Sequence, residues 1–423
     1  MATAHYRRNF LALLGDYIGF GLAMTFAGIT TTLPAYIAHL TPSKVVVGLF
    51  TTASDGAWLL PQIFFANFLL NKRRKKPYIL LGSAIGRPWI LFYALALALG
   101  LGRSPSLALG LLFAAEAVFL GSDALAAVAW FDVLAKAMPE ERRGRLIGLG
   151  QGLNGLLAIG AGAVIARLLG DQGPPFPLNY AVIFALAGFF LLFSFASLCF
   201  VVEPEEPVAE ERPSWGSYLA HLRRTLVEDR LFRRVIGVRL LAGFDLLASG
   251  FYILFATREL GLPSSTVGLY AAVQTAGTIL ASVAFGALSE RAGSQRVIQV
   301  ATAIGLIAPL TGLILFLLRV RGGTGLLVVY ALVFLVVGAV GSAYMLGYVN
   351  YVLRLSPAHD RPTYVGLFNT AGGLLVVLPT LGGAILQSTS YGVLFGLAGA
   401  AVAASHILSW HLPKLAPQDH ERP

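Results

Sequence analysis

The chain alternates long apolar runs with short polar ones. A bilayer crossing takes about 20 mostly apolar residues. Twelve runs meet that length: 10–37, 45–70, 77–100, 106–135, 144–169, 179–202, 233–257, 264–289, 296–318, 325–353, 362–386 and 390–412. Each is longer than a barrel strand. A helix satisfies its own backbone polar groups in lipid, so all twelve are expected to be helices, numbered here as spans one to twelve. Pro34, Pro61, Pro88, Pro309 and Pro379 fall inside them, and membrane helices tolerate proline. After span six comes an acidic, proline-rich stretch. Trp215, Leu219, Leu222 and Leu226 then recur every three to four residues, the pattern of a short amphipathic helix lying on a leaflet.

The pattern is written twice. A shift of 218 positions carries Trp130 onto Tyr348, Asp132 onto Asn350, Lys136 onto Arg354, Pro139 onto Pro357, Arg143 onto Arg361 and Gly148 onto Gly366. A shift of 220 carries Val47-Gly48-Leu49-Phe50 onto Val267-Gly268-Leu269-Tyr270. A long-period repeat fixes architecture before any single residue does. The expected fold is an all-α membrane protein with twelve transmembrane helices in two pseudo-symmetric six-helix bundles. These are residues 1–202 and 233–423, joined by a cytoplasmic linker, 203–232, that holds the amphipathic helix.

Composition removes the soluble classes. The chain is 57% hydrophobic and 12% charged, with a mean hydropathy of +0.74, whereas soluble domains carry roughly 25% charge. The net charge of +10 does not point to nucleic acid, because the basic residues sit in short loops between spans. With the N-terminus inside, inner segments hold 23 of the 31 Lys and Arg and outer loops hold six. That bias places both termini in the cytoplasm. Arg7 and Arg8 precede an apolar run longer than a signal core, so no cleaved signal is expected. Cys199 is the single cysteine and lies in an apolar run, where a small buried residue is expected. No Cys/His cluster, nucleotide loop or Ser/His/Asp set is present, so neither a metal, a cofactor nor an enzyme activity is expected.

Ionisable side chains inside spans are costly and usually face the bundle interior. Asp55 (span two), Arg87 (span three) and Glu116 (span four) each lie about ten residues from a membrane face, about 15 Å deep at the helical rise. They are expected to meet. One arginine cannot neutralise two acids, so the surplus acid can exchange a proton. Glu116, Asp123 and Trp130 recur every seven residues and share a face of span four, while Asp132 falls on the opposite face. Asp16 on span one and Asp245 on span seven are further candidates. Tyr330, Tyr344, Tyr348 and Tyr351 fall along one face of span ten.

Six helices, a linker and six more resemble the major facilitator superfamily. The most specific match is the loop after span eight, Gly286-Ala-Leu-Ser-Glu290-Arg291-Ala-Gly293-Ser-Gln-Arg296, similar to that family's G-x-x-x-[DE]-R-x-G-x-x-[RK]. There Gly286 implies close helix approach, Glu290 an acceptor for arginines or a helix end, and Gly293 a tight turn. The resemblance makes the cluster a conformational latch. The first-half copy has Leu70 at the acid and Arg73 at the inner glycine but keeps its basic run, which leaves Asp132 as a substitute partner. The stretch Asp132…Pro139…Arg143-Gly144 is similar to the family's end of span four, and Arg361 is the repeat mate of Arg143. The family's antiporter Gly-Pro pair is absent from span five, and only Pro379-Thr-Leu-Gly382-Gly383 in span eleven comes near it.

In that superfamily spans one, four, seven and ten line the central cavity, which makes Trp130, Tyr344 and Tyr348 its aromatic walls. The resemblance implies a secondary active transporter of a small organic solute working by alternating access. Proton coupling would fall to Asp55, Glu116 or Asp123, and the acids and aromatics suit a cationic or amphipathic solute, with efflux favoured. A monomer in the plasma membrane is expected, with lipids and the solute as partners. The alternatives are a lipid or lysolipid transporter or flippase of the same fold, and a membrane receptor or scaffold that does not transport.

Overall fold

The computed structural model describes residues 5–69, 72–204, 224–357 and 361–415. All regular structure among them is helical. Eleven helices are long and apolar enough to cross a membrane. The twelfth expected span, span two, is the 26-residue helix Lys44–Leu69, whose hydropathy is lowered by Thr51, Thr52, Ser54, Asp55 and Gln62. Leu70, Trp215, Leu219 and Leu222 lie outside the described residues. Of the expected amphipathic helix only its tail is described, helical over 224–228.

Prolines break several spans. Span three is Lys76–Gly86 and then Pro88–Ala98. Pro88 has no N–H for the ladder, and its ring opposes the carbonyl four residues back. Span nine breaks at Leu306, between Ser294–Gly305 and Ile307–Leu317, ahead of Pro309. Span eleven tightens into a 3-10 turn, Leu374–Val377, ahead of Pro379. Span one runs Tyr6–Phe26 and resumes at Thr32–Leu40. Spans four, five and six are Pro105–Ala137, Glu140–Leu169 and Leu178–Cys199. Span seven starts with Arg230–Ala242, passes through a 3-10 turn at Gly243–Leu247, and ends in a π turn, Phe255–Glu259. Span eight is Thr266–Ala292 and span twelve Tyr391–Ser409. Span ten is Thr324–Ala343, a π turn at Tyr344–Val349, then Asn350–Leu355.

The chain divides into two compact units, Met1–Glu210 with Leu262–Ala272, and Glu211–Gly261 with Val273–Pro423. Within the first, span one packs on spans five and six, span three on four and six, and span two on four. Within the second, span seven packs on eleven and twelve, and span nine on ten and twelve. Spans eight and ten are joined by Thr278 Oγ1 donating to the Gly338 carbonyl at 3.0 Å. The same scheme is thus used twice.

The repeat extends to side chains. In the first unit Tyr36 meets Tyr180 at 4.8 Å and Phe184 edge-on at 5.2 Å. In the second, Phe255 meets Tyr391 at 5.0 Å and Phe395 edge-on at 5.1 Å. Each cluster is buried, and such pairs add about 0.5–1.5 kcal/mol beyond area burial. Large apolar side chains such as Phe64, Leu99, Val283 and Val328 are exposed, as lipid-facing residues are. Cys199 is exposed too, so the expectation of a buried cysteine is corrected: it lies on the outer surface of span six.

Candidate functional site

In the first unit Gly86 sets up the site. A Cβ on Gly86 would lie 2.1 Å from Ser122 Oγ and 2.8 Å from the Phe119 carbonyl. Only glycine lets span three press this closely on span four. The next residue is Arg87, at the proline break.

Arg87 is buried, as are Asp16 on span one, Asp123 on span four and Ser194 on span six. Arg87 Nη1 donates to Ser194 Oγ at 2.6 Å and lies 3.6 Å from Asp16 Oδ1. Its Nη2 lies 3.7 Å from Asp123 Oδ1. Ser194 Oγ in turn donates to Asp16 Oδ1, so the hydroxyl relays between cation and acid. Asp16 Oδ2 accepts from Trp130 Nε1 at 2.7 Å. Trp58 of span two is a side-chain hydrogen-bond partner of Asp123, and the Phe20 ring lies 5.6 Å from the guanidinium. Arg87 Nε has no partner. Five spans therefore contribute to one buried cluster of two acids and one base.

This corrects the expected triad of Asp55, Arg87 and Glu116. Arg87 pairs with Asp16 and Asp123 instead. The depth argument located the arginine along the membrane normal but not around it. Glu116 is buried and Asp55 half-buried, and neither makes a hydrogen bond or ion pair with another described residue. Trp130 is a hydrogen-bond donor to an acid, not simply a wall.

A second network closes one end of this unit, where the loop after span two meets the ends of spans four and six. Glu203, just past span six, accepts from the backbone N–H of Lys75 at 2.8 Å and of Lys76 at 2.7 Å. A carboxylate at a helix N-terminus satisfies donors that have no partner within the helix. Lys75 Nζ pairs with Asp132 at 2.8 Å, Lys136 Nζ with Asp132 at 2.7 Å, and Lys136 Nζ lies 3.6 Å from Glu203. Lys76 Nζ donates to the Cys199 carbonyl at 2.7 Å. The basic run kept in the first-half loop is thus held by Asp132 and Glu203. Arg143 donates to the carbonyls of Met138 at 3.1 Å and Ala135 at 2.6 Å, closing the end of span four.

The second unit is built differently. Asp245 sits in the 3-10 turn of span seven and accepts from Tyr252 OH at 2.7 Å. Arg239, two turns earlier, faces the rings of Tyr344 at 5.4 Å and Tyr348 at 5.8 Å. Tyr330 and Tyr351 of the same stripe are fully buried and pack elsewhere: Tyr330 OH donates to the Tyr252 carbonyl at 2.7 Å and Tyr351 OH to the Pro413 carbonyl at 2.9 Å.

In the loop after span eight, Gly293 has a φ of +91°, as a tight turn needs. Arg296 Nη1 donates to Gln299 Oε1 at 2.8 Å and stacks over Trp410 at 5.4 Å. Two expectations are corrected there. A Cβ on Gly286 would meet open space among the described residues, so no close approach there calls for glycine. Glu290 and Arg291 are exposed and make no hydrogen bond or ion pair among the described residues, so their charges are left to solvent. The Arg361 side chain lies outside the described residues.

Residues 235–423 match the family model of the Major Facilitator Superfamily. Over those residues, the second half of the chain, the sequence is similar to that superfamily. Solved structures extend the fold to the first half. One is a bacterial homologue of the iron transporter ferroportin, in an inward-facing state, at 15% identity over 96% of this chain and 98% of that one, with a TM-score of 0.70. The xylose transporter XylE from E. coli is 13% identical, covers 99% and 98%, and has a TM-score of 0.66. The nucleoside transporter NupG is 14% identical, covers 96% and 98%, and has a TM-score of 0.63. At such identities the likeness is one of fold. No curated protein sequence matches significantly.

Several residues of these networks are not legible in the sequence. Ser194 stands in the apolar run Phe193-Ser194-Phe195 with no motif around it. Glu203 read as the start of the linker. Arg239 was visible as a charge within span seven, but its aromatic partners were not.

Proposed function

We propose that this chain is a member of the major facilitator superfamily and a secondary active transporter that moves a small organic solute by alternating access, coupled to protons through Asp16, Asp123 and Arg87. The observation that supports it is one buried arginine between two buried carboxylates on different spans. With both acids ionised the cluster keeps one uncompensated negative charge away from water, which is costly. One proton removes that charge. Which acid takes it decides whether Arg87 binds span one or span four more strongly, and a transporter rocks by shifting such balances between helices. Glu116, buried without a partner on the same helix, offers a second proton stop. The inner network of Lys75, Asp132, Lys136 and Glu203 holds one end of the unit rigid while the cluster titrates. The bias of Lys and Arg toward one set of loops favours both termini in the cytoplasm, and export of the solute across the plasma membrane is part of the proposal.

The test is solute-dependent proton movement in proteoliposomes carrying an internal pH-sensitive dye. A panel of radiolabelled organic cations, sugars, nucleosides and carboxylates is offered under an imposed pH gradient. At least one solute should cross and shift the dye signal, and Asp16→Asn and Asp123→Asn should each abolish the shift. No movement of any solute, or unchanged coupling in both variants, refutes the reading.

A further inference from the structure

We propose that Arg239, with Tyr344 and Tyr348, forms a binding site for the oxyanion group, carboxylate or phosphate, of a soluble ligand. Among the described residues, Arg239 is a charge without a counter-charge. Arg239 lies within span seven, and it makes no hydrogen bond or ion pair with any described residue. Its Nε is buried and unpartnered. The acids at the start and middle of span seven are committed elsewhere. Asp229 accepts from Phe232 N at 2.9 Å and from Tyr364 OH at 2.9 Å, and Asp245 accepts from Tyr252 OH.

The two tyrosine rings hold the guanidinium without neutralising it. A cation over a ring face meets a quadrupole, which fixes its position but leaves its charge intact. The rings are themselves set. Phe368 stacks on both, at 6.2 Å from Tyr344 and 6.1 Å from Tyr348. Tyr344 OH donates to Asn369 Oδ1 at 2.5 Å. Both tyrosines belong to the π turn Tyr344–Val349, whose wider i→i+5 winding departs from an otherwise regular helix. Such turns are rare and gather at functional sites.

The repeat sharpens the point. Trp130 and Tyr348 occupy matched positions of the two halves. In the first unit that ring faces an acid of span one. In the second it faces a base of span seven. One half presents to its aromatic residue an acid that pairs with Arg87, and the other presents an arginine that no described residue compensates. A planar fork with five donors matches a carboxylate or phosphate bidentately. Binding at this site stands on geometry alone, and only its role as a substrate site rests on the transporter reading. It replaces the expected cationic solute with one that carries an anionic group.

The experiment is the melting temperature of the purified full chain in detergent, read by intrinsic fluorescence. Sodium benzoate and sodium phosphate are titrated against sodium chloride at matched ionic strength and pH. A ligand that binds the folded state raises the midpoint in a saturable way. The wild type should show this with at least one of the two oxyanions and Arg239→Gln should not. Arg239→Lys keeps the charge but loses the fork, so its half-saturation should rise about tenfold. No oxyanion shift in the wild type, or an equal shift in Arg239→Gln, overturns the site. Should Arg239→Gln not fold, an unchanged half-saturation in Arg239→Lys does so. Micelles doped with phosphatidylglycerol form the last arm: a shift with the lipid alone assigns the site to a headgroup and overturns a soluble ligand. Oxyanion binding without any proton-linked solute flux would sink the transporter reading and leave this site standing. Flux of uncharged solutes without an oxyanion shift would do the opposite.

Discussion

Trp130 donates its indole N–H to Asp16 at 2.7 Å, across 114 residues of chain. The bond ties span four to span one and fixes which oxygen of Asp16 is left for Ser194 and Arg87.

Trp130→Phe keeps the ring and removes the donor. An acceptor left unsatisfied in a buried site costs about 1–3 kcal/mol. Chemical or thermal denaturation of the purified protein should show a loss of that size. Added to Asp16→Asn it should cost less than the two separate losses combined, because contacting residues do not add. Strict additivity would mean the two side chains do not share an interaction.

Arg87→Leu strands two acids, at a cost of roughly 3–5 kcal/mol. Asp16→Asn or Asp123→Asn, placed on top of Arg87→Leu, should recover part of that stability, and both together should recover more. Asp55→Asn and Glu116→Gln should not rescue, since neither side chain pairs with the arginine. Rescue by either of those two would return the pairing to the one that depth alone suggested.

Glu203→Gln keeps the shape of the cap but removes the charge that faces Lys136 and the first N–H groups of span three. Charge-assisted bonds are about twice as strong as neutral ones, so a loss of about 1–2 kcal/mol is expected. Glu290→Gln, on an exposed acid, should stay within about 0.5 kcal/mol of the wild type. Comparing the two denaturation midpoints checks both: a larger effect at Glu290 would restore the second-half loop as the main anchor of the inner end.

Topology is open to a labelling test. On a Cys199→Ala background, cysteine at Asp171 should react with an impermeant maleimide from outside intact cells. Cysteine at Arg73 should react only after the membrane is opened. Both positions are exposed. The reverse pattern would invert the orientation read from the basic loops.

The linear pattern determined what length, period and charge can determine. Apolar length set twelve spans, because backbone groups in lipid leave few other choices. The offset of 218 set the repeat, and the matched ring clusters around Tyr36 and Phe255 follow it into three dimensions. Seven-residue spacing placed Asp123 and Trp130 on one face of span four and Asp132 on another, and the two groups do join separate networks. What the sequence could supply for Arg87 was depth, one coordinate of three. Its angular position and neighbours depend on how spans one, four and six pack around span three, with Gly86 allowing the approach. That packing chose Asp16 and Asp123 over Asp55 and Glu116, and brought in Ser194. It also settled that Arg239 faces two tyrosines and, among the described residues, no acid. Side-chain pairing across helices is fixed by contacts between residues distant in sequence, and no period along the chain encodes them.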